Sequence, residues 1–287
     1  MSGARGVGTL ALALALLPAT GVAQTWRSAT ATRQVRGEQR LEVNVEFAAG
    51  TFRLSPGDPG SLYRTDVRYD QEMFASETRY DAKRGHLLVK LTPDDRLRDF
   101  QFDVDTPQYL DLALSPVVPT DLTLEFGIAK AELELGDLSM RQLSLKTGAS
   151  ENVVRFSAVN RMECRKLEIA VGAAELLVEG LGNARCRDIS LAGGAGSIVL
   201  DFTGAWTNTL QSEAEIVVGF GSLTLRLPED LGVEVRMTRF LASFAKEGFE
   251  RRGSRYVSPN YDQARAHLLL HVKAALGDID VEWVPSR

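Results

Sequence analysis

A glycine-centred pattern recurs along the middle of the chain, and it restricts the possible folds more than any other feature. Five segments carry a glycine followed two residues later by a small residue or another glycine: Gly127-Ile-Ala129, Gly148-Ala-Ser150, Gly172-Ala-Ala174, Gly194-Ala-Gly196 and Gly219-Phe-Gly221. Successive centres lie 21, 24, 22 and 25 residues apart. The residues five, three and one before each centre are mostly apolar, as in Leu122, Leu124, Phe126 and in Leu167, Ile169, Val171. The residues four, six and eight after it are mostly apolar too, as in Ala131, Leu133, Leu135 and in Leu223, Leu225, Leu227. Alternation with period two marks a strand with one buried face. The phase changes across the glycine, which requires a corner, and glycine gives the backbone the freedom to make one. Each unit therefore reads as strand, corner, strand, turn, with Gly127, Gly148, Gly172, Gly194, Gly219 and Gly221 as corner residues.

Two outlying segments share the template. Val43, Val45 and Phe47 precede Ala48-Ala-Gly50, and Leu270, Val272 and Ala274 precede Ala275-Leu-Gly277, which adds Gly277 to the corner set. A unit of this length cannot bury its apolar face alone, whereas stacked units share one core. The expected fold is all-β: a β-solenoid-like stack of glycine-cornered two-strand repeats of about 22 residues. The alternative is a sandwich of antiparallel hairpins, whose inner faces alternate in the same way. Segments 62–69 and 86–91 also alternate and suggest an N-terminal β layer over one end of the stack. Residues 240–265 break the pattern, as an excursion loop or as a cap over the last open edge.

The N-terminus reads as an export signal. Arg5 precedes the apolar run Leu10–Leu17, and small residues follow up to Ala23. That run is about half the roughly 20 residues that a spanning helix needs. The expected division is a signal peptide at 1–23, an N-terminal β region at 24–115 and the repeat region at 116–287. No other stretch could cross a bilayer, so the mature chain is expected in the periplasm, at the cell surface or outside the cell.

Cys164 and Cys186 each stand eight residues before a centre, Gly172 and Gly194. Rungs stacked in register would bring their Cα atoms to about 5 Å, within disulfide range. An oxidising compartment suits the bond, so a Cys164–Cys186 staple is expected over two free thiols.

Signals for chemistry are sparse. A net charge of -5 with no basic stripe argues against a nucleic-acid partner. Two cysteines and three histidines leave little for a metal centre, and neither metal nor cofactor is expected. His267 and His271 have a zinc-like helical spacing, but on a strand they would stand about 13 Å apart. Seven residues after successive centres come Glu134, Arg155, Glu179, Asp201 and Arg226, with Glu282 in the matching place of the last unit. In a parallel stack these form a ladder, either a solvated face of weak ion pairs or a groove for carbohydrate or cations. Phe249, Tyr256 and Tyr261 in the irregular segment are candidate partner-binding aromatics, or else they cap the core.

Two segments also carry a family likeness. Gly219-Phe-Gly-Ser-Leu-Thr-Leu-Arg-Leu-Pro-Glu-Asp-Leu-Gly-Val-Glu-Val235 and Val45-Glu-Phe-Ala-Ala-Gly-Thr-Phe-Arg-Leu54, with Tyr69-Asp70 downstream, resemble the bacterial toast-rack and LiaF-like (DUF4097-like) envelope families. The resemblance spans roughly residues 40–285 and implies a β-rich, non-enzymatic module of the cell envelope, with no catalytic residues. The function expected is binding or scaffolding of an envelope component in an envelope stress response. A carbohydrate-active β-helix enzyme and an adhesin-like surface module are the alternatives.

Overall fold

The structure is a computed structural model that describes residues 25–94, 108–206 and 211–285. The export signal expected at 1–23 lies outside them. The described strands are β1 (Trp26–Gln34), β2 (Leu41–Pro56), β3 (Ser61–Asp70), β4 (Phe74–Asp81), β5 (His86–Pro93), β6 (Tyr109–Leu114), β7 (Thr120–Glu134), β8 (Met140–Arg155) and β9 (Cys164–Glu179). After the single turn of helix α1 (Leu181–Ala184) come β10 (Cys186–Asp201), β11 (Gln211–Pro228), β12 (Gly232–Phe244), β13 (Glu250–Arg252), β14 (Arg255–Val257) and β15 (His267–Val284).

The eight long strands form a parallel stack in the order β2, β7, β8, β9, β10, β11, β15, β12. At about 4.8 Å per step, the seven steps span roughly 34 Å. The fold is the all-β, solenoid-like stack that the periodicity predicts. Each rung differs from the expected pair of strands, because one bent strand runs unbroken through the corner. In β8, Leu143, Leu145 and Thr147 are buried before the corner and Ser150, Asn152 and Val154 after it, with Gly148 and Ala149 exposed between them. The inward phase therefore shifts by one residue inside a continuous strand, so both legs face the same core.

Like positions stack on like. Leu122, Leu143, Leu167, Ile189, Ala214 and Leu270 are in register from rung to rung, and each is at most 4% exposed. The connections supply the third side of the core, with Phe156 and Phe202 buried in two of them. Buried Asn160 ties these turns together. Its side chain accepts from Met140 N at 2.9 Å and donates to the carbonyls of Met140 at 2.7 Å and Ala184 at 3.2 Å.

The N-terminal segment closes one end. Beyond β2, β5 pairs with its first leg and β6 with its second, both parallel. Strands β4, β3 and β1 then add antiparallel. At the other end chain order and stacking order part: β12 leaves β11, and β15 returns to fill the layer between them. Residues 240–244, expected to be irregular, thus belong to the last rung, whose inward alternation Val233, Val235, Met237 precedes a corner with Phe240 where five of the other rungs have glycine and two have alanine, Ala48 and Ala275. The hairpin β13–β14 then covers the first leg of β12 through Glu234–Arg236.

Candidate functional site

The second legs place the charged residues as a ladder. Glu134, Arg155 and Glu179 are Cα partners in successive rungs, and so are Asp201, Arg226 and Glu282. Arg155 Nε donates to Glu179 at 2.8 Å, and Arg226 Nε to Glu282 at 2.8 Å. The hydrogen bond that Arg226 donates to Glu282 and the charges of Glu282, Asp201 and Glu179 raise the Arg226 pKa above its ordinary value. Glu134 instead accepts from the backbone N–H groups of Gly136 at 2.8 Å and Ser157 at 3.2 Å. Most of this charge is therefore spent within the ladder.

Two shallow grooves run along this face and meet at Arg155. One, of about 440 Å³, is lined by Arg53, Arg64, Asp66, Asp111, Glu132, Glu134 and Arg155 among others. Asp66 is held below its ordinary pKa by hydrogen bonds from Arg64 and Thr30, while burial pushes Asp111 up. The second, of about 710 Å³, lies among Arg155, Glu179, Asn183, Asp201, Thr203 and Arg226. Both are rich in balanced charge. Such a surface suits polar contacts along a broad face better than enclosure of a small apolar ligand.

The disulfide joins Cys164 to Cys186, which are Cα partners in neighbouring rungs with Cα atoms 4.2 Å apart. His267 and His271 share β15 but have separate partners: His267 Nε2 is 3.0 Å from the Tyr261 carbonyl, and His271 Nε2 is 3.1 Å from Glu213. Among the described residues no group of three or more His, Cys, Asp or Glu side chains is placed to hold a metal ion.

The candidate aromatics are half-buried at the C-terminal end of the stack. Phe249 lies 5.0 Å from Trp283 and 6.1 Å from Phe244, which in turn meets Tyr256 at 5.2 Å. Tyr261 packs edge-on against His267 at 5.0 Å, and burial followed by the neighbouring Glu234 charge raises its phenol pKa. The excursion is pinned through Glu234, whose 3%-exposed side chain pairs with Arg236 at 2.8 Å and Arg255 at 2.7 Å. Other apolar residues face solvent, among them Phe240 at 82% exposed, Leu241 at 63%, Phe220 at 59% and Leu276 at 45%. Their signal in the sequence is positional, since Phe220 and Leu276 each follow a corner residue whose neighbour is alanine in most other rungs.

A parallel stack of bent strands, capped at its N-terminal end and bearing a charged ladder, defines a β-repeat module. The chain belongs to the toast-rack family: residues 22–179 match the family model described as the N-terminal domain of toast_rack, DUF2154. Residues 182–281 match the model described as cell wall-active antibiotics response LiaF, C-terminal. The two matched segments meet between β9 and β10, where the disulfide staples one to the other. No curated protein is similar enough to count as a relative. Among solved structures, a candidate cell adhesion protein from Clostridium sporogenes is 15% identical, covering 91% of this chain and 100% of its own, with a TM-score of 0.46. A candidate adhesin from Parabacteroides merdae is 9% identical, covering 90% and 96%, with a TM-score of 0.37.

Proposed function

We propose that the chain is an exported, non-catalytic binding module of the cell envelope, released by cleavage after Ala23. In this reading the rigid stack presents its ladder face, and the excursion beside it, to an envelope component during a response to envelope stress. The observation that carries the reading is the ladder itself: charges of both signs held in register by neighbouring rungs, on a chain whose C-terminal segment matches a cell wall-active antibiotics response module. Fixed, mutually paired charges give a surface specificity and orientation more than raw affinity. The disulfide adds support, because such bonds persist outside the reducing cytosol.

Crosslinking in cells, followed by mass spectrometry of the adducts, tests the proposal. A processed chain crosslinked to an envelope protein or glycan is expected, with recovery reduced in Tyr261→Ala and in Glu179→Ala/Asp201→Ala while melting stays close to wild type. An unprocessed cytoplasmic chain would overturn it. So would turnover of a cell-wall polysaccharide that is lost in the Glu179→Ala/Asp201→Ala variant.

A further inference from the structure

The stack ends on an open strand edge. β12 pairs with β15 from Gly232 to Phe244, but on its other side β14 reaches only Glu234–Arg236. Among the described residues no strand pairs with the outer side of Thr238–Phe244. An uncovered edge offers its N–H and C=O groups to any extended chain, and natural sheets blunt such edges with charges, prolines or bulges. Here one charge, Arg239, occupies the Ala242 carbonyl, and beside it the edge carries Phe240 and Leu241, the most solvent-exposed large apolar side chains described. Leu241 is in register with Leu276, and Leu276 with Phe220, so an apolar ridge three rungs deep ends at the open edge.

Charge around that ridge is arranged by sign. Arg239 precedes it, its guanidinium donating to the Ala242 carbonyl at 3.1 Å. Exposed Asp278 and Asp280 follow it on β15, and Asp278 is in register with Ser243, whose hydroxyl donates to it at 2.6 Å. A two-fold axis at Leu241 would pair the edge antiparallel with the same edge of a second copy. Leu241 then faces Leu241 of the second copy, with Cβ atoms about 5 Å apart, and the two ridges meet. Arg239 faces Ser243 of the second copy, one strand from that copy's Asp278. Parallel pairing would put Arg239 beside Arg239, a like-charge contact that costs stability. The patch is thus self-complementary in the sense that a two-fold contact requires.

We infer that the protein forms a two-fold dimer by antiparallel pairing of Thr238–Phe244, bringing Leu241 against Leu241 of the second copy and joining the two apolar ridges end to end. The dimer extends the sheet across the axis and leaves both ladder faces open, and it does not depend on the binding function proposed above.

Light scattering on the eluting full chain across a range of concentrations tests the inference. Wild type should run at twice the chain mass, and Leu241→Asp at the chain mass with an unchanged circular dichroism spectrum. Arg239→Asp and Asp278→Arg should each weaken the dimer about ten-fold or more, a loss of about 1.4 kcal/mol, and the double exchange should restore it. If Leu241→Asp fails to fold, the charge exchange alone decides. A wild-type monomer at every concentration overturns the dimer, as does a dimer indifferent to Leu241→Asp or a double exchange no better than the singles. A monomer that floats with phosphatidylglycerol vesicles and loses that binding in Leu241→Asp would assign the ridge to a lipid surface instead.

Discussion

The corner residues show what one missing side chain permits. At Gly148, an added Cβ would lie 2.7 Å from the Gly127 carbonyl oxygen of the previous rung, so the column of corner glycines lets backbones approach closely. Two residues on, the rungs divide. Gly196 has φ +134°, and its Cβ would stand 1.9 Å from the Ala174 carbonyl, whereas Ala129, Ser150 and Ala174 fill the same position as buried side chains. Glycine is thus required at Gly196 and optional at Ala174. Gly196→Ala should cost more than about 2 kcal/mol, combining a strained backbone with a steric overlap. Ala174→Gly should cost no more than about 1 kcal/mol, mainly through backbone entropy. Urea midpoints at constant slope measure both, and equal losses would mean that the two corners do not differ. The motif was legible at this scale, but the distinction between corners was not, because both types read as small residues in a string of letters.

At the scale of the element, one rung, β12, was not legible in the glycine pattern. The alternation Val233, Val235, Met237 is as regular as that of its neighbours, yet Phe240 stands where the other rungs have a corner glycine or alanine. The close approach at the glycine corners is to the carbonyl of the preceding rung, and β15, which precedes β12 in the stack, itself carries Ala275 at its corner, so a side chain there is not unique to the last rung. The cysteines were legible for the opposite reason, since they stand at equal offsets from their glycines and register alone joins them. Closing a separation of 22 residues should contribute about 3 kcal/mol in the chain-entropy model. The Cys164→Ala/Cys186→Ala variant should fold with its unfolding free energy lowered by about that much. A midpoint indistinguishable from wild type would show that the neighbouring rungs already restrict the unfolded chain. The ladder was equally legible in its order, while its pairing was not: Glu134 turns to backbone amides, and Arg155 pairs with Glu179.

In the whole molecule, stability should be graded along the stack. Each interior rung has neighbours on both sides, and a stacked array gains its stability largely from such interfaces. Amide exchange is therefore expected to be slowest in β7–β10, and faster in β13, β14 and the second leg of β12. Protection of Thr238–Phe244 that rises with protein concentration would report the two-fold contact. Uniform exchange across all rungs would instead mark a single cooperative unit with no weak end.

The sequence by itself determined the repeat unit, the inward face of nearly every rung, the disulfide partners and the vertical order of the charges. These depend on period-two alternation and on equal spacing, which survive in one dimension. Only the tertiary structure decided that each corner lies within a continuous strand, that β15 inserts between β11 and β12, and which aromatic residues reach solvent. Those outcomes depend on which backbone lies beside which. Phe249 and Phe240 are alike as letters, but one packs against Trp283 and the other stands 82% exposed at an uncovered edge.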